Sequence, residues 1–379
     1  MKKILLSTIV LASMATADTN TEIEALKAQM ATMMKRINEL EAAKKTETPV
    51  TKTAKVTTSK HKATTVKSHV PVLKFSGTHY LGAVASKNKD NVHSDKFETR
   101  RNYFQVKAYM EEGSKDYMRL TLDTHDSGGQ SDVWLKYAYL YLDNVLPNTG
   151  VEFGQAHRPW IDYEEHNAWN YRSISKVLVE AHNGAHLTNS ADRGVNVKTK
   201  TPYFSSEIGL FNGEGYHTEQ KENSLSGEWR ITSHILGTGK EKSKPSKTYA
   251  NISFFGQQNK EYKAGEDLNW MGVHAVYNQP KYLISAQYID VQDGTDLQKG
   301  NGYSINGEYR VTPKWNLIGR YDNFELDLNS KEKKRALAGV SYKYNHNVEF
   351  IANYLKEGGS ALNKEQTADS VMFTAQVEW

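Results

Sequence analysis

The chain closes on 371-VMFTAQVEW-379, in which Val371, Phe373, Ala375, Val377 and Trp379 alternate with Met372, Thr374, Gln376 and Glu378. Successive side chains of a strand point to opposite faces, so the stretch reads as a ribbon with one apolar and one mostly polar side. The same alternation sets Tyr303, Ile305, Gly307, Tyr309 and Val311 against Ser304, Asn306, Glu308 and Arg310. It also sets Phe104, Val106, Ala108 and Met110 against Tyr103, Gln105, Lys107 and Tyr109, and Met118, Leu120 and Leu122 against Arg119, Thr121 and Asp123. In a soluble sandwich the apolar faces meet and the outward faces are rich in Lys and Glu. Here the apolar faces carry Tyr, Ala and Val with Trp or Tyr near strand ends, whereas the other faces carry single charges beside Gly and Ser. That pattern predicts lipid on one side and water on the other.

Composition agrees. The 379 residues are 38% apolar and 24% charged, with no Cys. The apolar share is low for one dense core. Absence of Cys excludes disulfide scaffolds, Cys-ligated zinc, iron–sulfur clusters and thiol nucleophiles. No run of 18 or more apolar residues follows the first segment, so a helical membrane span is excluded, while a barrel of alternating strands is not.

Working back from the C-terminus, strand-like runs fall near 72–85, 97–110, 115–125, 132–143, 150–157, 191–200, 203–212, 226–237, 247–258, 268–279, 281–291, 301–311, 314–327, 335–344, 347–356 and 370–379. Connections after even-numbered runs are mostly tight: Glu111–Ser114, Leu146-Pro147-Asn148, Thr201-Pro202, Gln279-Pro280, Thr312-Pro313 and Asn345-His346-Asn347, with the longer Thr238–Ser246 as the exception. Those after odd-numbered runs are mostly longer and polar. Short turns on one rim, long loops on the other and an even count predict an all-β transmembrane barrel of about 16 antiparallel strands over residues 72–379, with both termini periplasmic.

The N-terminal seventy residues read differently. Met1–Ala17 has Lys2 and Lys3, an apolar stretch from Ile4 to Ala12 and small residues before Asp18, the pattern of a signal peptide. Over 18–43, Ile23, Leu26, Met30, Met33, Ile37 and Leu40 follow a strict 3-4-3-4-3 spacing, which predicts a short α-helical coiled coil in the periplasm. Glu22 with Lys27 and Arg36 with Glu41 pair opposite charges as flanking positions of a parallel homo-oligomer do. The Lys/Thr-rich segment 44–71 has seven Lys against one acid, Glu47, and reads as a solvated linker. It is a charged spacer, with contact to an anionic cell-wall polymer as the alternative. Beyond Pro71 there are 36 Lys and Arg against 38 Asp and Glu, a balance of −2. The overall charge of +4 therefore belongs to the tail and gives no support for a nucleic-acid surface.

The segment 156–190 exceeds thirty residues without a strand of its own. It carries Arg158-Pro159-Trp160, the acids Asp162, Glu164 and Glu165, and a stretch from Trp169 to Glu180 that suits a short helix. A barrel of this size is wide enough for a water channel, so the insertion is expected to fold inward as a constriction. Arg158 and Arg172 would bring positive charge to it, opposed by Asp162, Glu164 and Glu165. From the wall, Arg101, Lys107, Arg119, Lys136, Arg230, Arg310 and Arg320 are expected to face the lumen, as are Asp123, Glu228 and Glu308. Opposed charge across a narrow pore sets up a transverse field that filters by dipole and charge.

Gly154-Gln155 with Pro159, then Ser190-Ala191-Asp192-Arg193-Gly194-Val195, then Gly209-Leu210-Phe211-Asn212-Gly213-Glu214-Gly215 resemble the porins of the phosphate-selective O and P type. The terminal Trp379 resembles the assembly signal of bacterial outer-membrane proteins, and a coiled coil before the barrel is similar to that of some trimeric porins of Gram-negative bacteria. The specific matches cover about 150–215. The resemblance implies a homotrimeric passive channel in the outer membrane, in contact with its lipid, for small hydrophilic and often anionic solutes such as phosphate, without a cofactor. The sequence departs from that family in lacking a strongly basic barrel, which leaves ion preference open. The alternative is a surface-exposed structural or adhesin barrel with a plugged lumen.

Enzymatic signals are weak. There is no phosphate-cradling glycine loop and no nucleophile elbow. An outer-membrane lipase or protease would need Ser, His and a carboxylate or amide at one rim, and no spacing argues for it. Glu164-Glu165-His166 reads as solvated polar loop rather than a metal site.

Overall fold

The computed structural model describes Lys35 and residues 71–379, apart from 128–129, 219–224, 264 and 329. The signal peptide, the coiled-coil segment with Ile23, Leu26, Met30, Met33, Ile37 and Leu40, and the linker lie outside the described residues except for Lys35 and Pro71.

Sixteen strands follow one another: β1 (Val72–Lys87), β2 (His93–Tyr109), β3 (Tyr117–Ser127), β4 (Gln130–Leu146), β5 (Thr149–His157), β6 (Ala191–Lys200), β7 (Phe204–Phe211), β8 (Ser226–Leu236), β9 (Tyr249–Lys263), β10 (Glu266–Gln279), β11 (Tyr282–Asp293), β12 (Gly300–Arg310), β13 (Trp315–Leu326), β14 (Lys331–Lys343), β15 (Val348–Gly358) and β16 (Ala368–Glu378). One short helix, α1 (Ile161–Asn167), lies in the β5–β6 connection. Each strand pairs antiparallel with its sequence neighbours, and β1 closes on β16 from Thr78↔Glu378 to Lys87↔Asp369. Closure leaves no unpaired edge, which a sheet surrounded by hydrocarbon requires. The strand ends fall within five residues of those read from the alternation. The β3–β4 and β9–β10 connections are shorter than expected, because those strands run on and carry the hairpins outward.

The exterior is apolar. Val371 and Phe373, Ile305, Leu317, Ile284 and Phe153 are all half exposed or more. Tyr303 and Tyr309 on β12, and Trp315 and Tyr321 on β13, stand six residues apart on this face. That is about 20 Å along a strand, the spacing of two aromatic girdles bounding an apolar band. Trp379 belongs to the short-turn girdle and lies over Gly77 of β1, where an added Cβ would fall 2.5 Å from its ring.

Two β-bulges decide what enters the lumen. Between Tyr80↔Arg101 and Leu81↔Thr99 the register skips Arg100, and between Thr121↔Tyr137 and Leu122↔Leu135 it skips Lys136. A bulge re-aims a side chain, so Arg100 joins Arg101, and Lys136 joins Tyr137, on the inner face. The Gln155 amide donates to the carbonyl of Lys136 at 3.0 Å and to that of Leu135, satisfying the backbone that the second bulge frees.

The interior departs from a uniformly wet one. Phe255, Trp270, Ile289, Val291, Ile318, Phe324, Leu337, Ile351 and Met372 point inward from β9–β16 and are buried against the insertion. This part of the inner wall is dry because the loop covers it, burying polar neighbours such as Gln287 and Asp322 with the apolar ones.

Candidate functional site

The insertion is pinned at its root. Arg158 follows β5 and is 2% exposed. Its Nη2 lies 3.0 Å from Asp192, 2.9 Å from Glu228 and 2.8 Å from the Gly213 carbonyl, and Nη1 donates to Thr188. The three stretches that carry the family resemblance thus converge on this guanidinium. Expected to charge the constriction, Arg158 is instead a buried tie between the loop and β6 and β8. Arg230, also expected in the pore, sits behind the root, paired with Glu207 at 3.1 Å and donating to the Pro159 carbonyl at 3.3 Å.

From there the loop follows the dry wall. Trp160 stacks on Phe255 with ring centroids 3.5 Å apart and planes 4° from parallel. Along α1 the positions Ile161 and Glu164 face the wall, while Asp162 and Glu165 do not, as the helical period requires. Glu164 is fully buried, accepting from Gln287 at 2.8 Å with Arg320 at 3.6 Å. It is therefore a seat residue and neither a lumen charge nor a solvated one. Arg320 lies beneath the loop, its guanidinium 5.0 Å from the Trp169 ring.

The stretch Trp169–Glu180 forms turns rather than the expected helix. Its carbonyls are taken by side chains: Ser173 accepts from Arg100 of the wall at 2.9 Å, Lys176 from Arg335 of the wall at 3.2 Å and Ser175 from the Trp169 indole of the stretch itself at 2.7 Å. The side chains of Val177, Leu178 and Val179 are fully buried. β-Branched residues and captured carbonyls both work against a helix.

Burial raises the Glu164 carboxyl to about 7, against the opposing pull of Arg320. Because burial favours the neutral acid, this contribution to the loop's seating is complete below the ordinary carboxyl range and is lost as pH rises through about 7. Open-channel current noise is expected to increase between pH 6 and 8, and Glu164→Gln to flatten that rise. An unchanged pH profile in the variant would refute the assignment.

On the β2–β5 wall, charges and aromatic rings take the place of the apolar cluster, and Asp123, Lys136, Tyr137 and Tyr139 are themselves buried. Arg101 pairs with buried Asp123 at 2.5 Å, and the Lys136 ammonium lies 3.3 Å from the Tyr103 hydroxyl. Arg119 stacks on Tyr137, 4.4 Å from its centroid, and lies 2.8 Å from His157 Nε2. Asp162 approaches from the loop to 3.5 Å from that ring. Burial alone would raise its carboxyl, but His157, His166, Lys198 and Arg119 outweigh it and hold Asp162 well below the usual carboxylate range. It remains ionised. Beside it Arg172 is clamped by Glu165 and by Glu180, the latter at 2.5 and 2.8 Å. Of the expected lumen cations, Arg101, Lys107, Arg119 and Lys136 share this sector, with Lys136 itself buried. Arg310 lies at the short-turn rim, engaged by Glu308, Asn278 and the Gln279 carbonyl.

A cavity of about 320 Å³ opens on the long-loop side of the loop, lined by Lys96, Glu98, Arg100, Arg101, Arg172 and Lys176 among others. One of about 630 Å³ opens on the short-turn side, lined by Lys115, Tyr117, Tyr141, Asp143, Glu152, Lys198, Lys200 and Lys240 among others. The sequence reading placed Tyr103 and Tyr109 on the inner face but missed Arg100, His157 and the inward tyrosines of β4. The alternation Tyr137-Ala138-Tyr139-Leu140-Tyr141 was the signal for the last of these.

No protein-family model matches the chain, and no curated protein matches it either. Solved structures do. The anion-selective porin from Comamonas acidovorans superposes with a TM-score of 0.61 at 12% identity, covering 82% of this chain and all of that one. OprB of Pseudomonas putida gives 0.60 at 10% identity, covering 81% and 94%. The barrel is of the porin type. OmpT, an outer membrane protein of Vibrio cholerae in trimer form, gives 0.56 at 16% identity, covering 82% and 100%. At these identities the likeness is one of fold alone.

Proposed function

We propose that the protein is a homotrimeric outer-membrane porin through which small hydrophilic anions, phosphate among them, diffuse down their gradients. The observation that carries this reading is the row of wall cations Arg101, Lys107, Arg119 and Lys136 facing the loop that carries Asp162, Glu165 and Glu180, with a cavity to either side. Both cavities are cationic although the barrel is not. The long-loop cavity has five Lys and Arg to one acid, and the short-turn cavity four Lys to two. Fixed charge of one sign inside low-dielectric walls concentrates the opposite ion. The apolar exterior with its two aromatic rows supports a membrane setting, and the trimeric neighbour supports the oligomer.

Conductance in planar bilayers tests the reading. Stepwise openings in groups of three are expected, with a reversal potential of anionic sign in a KCl gradient. Lys107→Glu should move the permeability ratio toward cations by about fivefold, since reversing a unit charge within several ångströms is worth on the order of 1 kcal/mol in a watery pore. The dry seating of the loop favours one other reading, a plugged structural or adhesin barrel. A folded but silent protein would decide for it.

A further inference from the structure

The short-turn cavity has a floor that a plain electrostatic path does not need. Tyr117 on β3 stands directly opposite Tyr141 on β4, with ring centroids 5.1 Å apart. Tyr109 and Tyr139 adjoin Tyr117 at 5.5 and 6.2 Å and back the two rings that line the cavity, Tyr139 being buried. The placement of this floor is built. Gly150 on β5 lies under Tyr141, where an added Cβ would fall 2.5 Å from the phenol oxygen, and the phenol donates to Asp143 at 3.0 Å. The bare position lets the ring lie down on the sheet, and the hydrogen bond fixes its direction.

The charge around this floor divides in two. Lys198 is held by Glu152 and Glu207, both at 3.2 Å, and Lys115 by Asp143 at 3.4 Å. Among the described residues, Lys107, Lys200 and Lys240 have no carboxylate within ion-pair distance. The Lys107 ammonium hangs 4.6 Å from the Tyr117 centroid. Aromatic faces are electron-rich, so a bare anion gains nothing on them, whereas a flat ring stacks in an offset or edge-on manner. Lys200 and Lys240, which line the cavity, supply the counter-charge, with Lys107 at the edge over the Tyr117 ring. The volume of about 630 Å³ lies in the range of small-molecule sites.

We propose that this cavity binds small anions that carry a flat ring, aromatic carboxylates being the chemical class that fits, with the ring on Tyr117 and Tyr141 and the carboxylate toward Lys107, Lys200 or Lys240. The proposal rests on the reading of the lumen as an anion path. It adds a selective station to that path.

Benzoate, acetate and glucose are the probes, titrated by calorimetry into the full-length protein in detergent and added in parallel to bilayers in KCl. Benzoate is expected to bind, and to block KCl current, at about tenfold lower concentration than acetate, which is what one or two ring contacts provide. Tyr117→Leu should erase that tenfold difference and leave acetate where it was. Gly150→Ala, whose added Cβ meets the Tyr141 phenol, should weaken benzoate in the same direction by displacing that ring. Equal binding of benzoate and acetate, glucose binding as tightly as benzoate, or a loss shared by benzoate and acetate in Tyr117→Leu would each overturn the site. Channels that open in KCl without benzoate selectivity leave the porin reading standing and remove this one; selective benzoate binding by a silent barrel does the reverse.

Discussion

Excising Trp160–Leu187 and closing the gap with a four-residue turn is expected to raise single-channel conductance several-fold and to weaken ion selectivity. The geometry permits the deletion. β5 and β6 pair as far as His157↔Ala191, and the Arg158 amide still reaches the Ser190 carbonyl at 3.3 Å, so the roots of the loop are already neighbours. A sixteen-stranded wall without its insertion leaves an open aqueous lumen. The strand ladder that closes the barrel does not pass through the loop. What the excision exposes is the dry wall, including Phe255, Trp270, Ile289 and Phe324, at about 1.5–3 kcal/mol for each large apolar side chain returned to water. The shortened protein should therefore fold yet unfold at lower temperature, read from its heat-modified mobility on gels. A deletion variant with unchanged conductance would show that the loop does not restrict the pore.

Arg158→Ala should cost about 3–5 kcal/mol. Asp192 and Glu228 are buried with this guanidinium between them, and deleting it leaves two carboxylates without a counter-ion in a dry site. The triple variant Arg158→Met, Asp192→Asn, Glu228→Gln should recover most of that loss, because it removes the unpaired charges together. Urea unfolding of the detergent-folded protein measures both. A small loss in Arg158→Ala, or no recovery in the triple variant, would mean that the root is not held by this cluster. Since Arg158 anchors rather than lines, its loss should increase current noise more than it shifts the reversal potential.

Much of this was legible beforehand. Strand alternation needs only the residues of one ribbon, so the outward faces of Val371–Trp379, Tyr303–Val311 and Phe104–Met110 and the sixteen runs could be read off the chain. The stretch of three alternating tyrosines on β4 was equally open to reading. Arg100 was not. Strict alternation from Phe104 places it on the lipid side, and only the partner strand, by skipping one residue, turns it inward to meet Ser173 and Thr374. Glu164 and Glu165 are adjacent acids on one polar loop, and nothing local says that the first is buried on Arg320 while the second faces Arg172.

The sequence by itself determined the closed barrel, its two rims and its apolar exterior, because each rests on a local period and on turn lengths that act within a few residues. Only the tertiary structure decided which charges bound the pore, because bulge register and loop seating arise from pairings between segments up to 274 residues apart, as between Arg100 and Thr374. There the choice between two neighbouring side chains is made by the surface that the loop comes to cover.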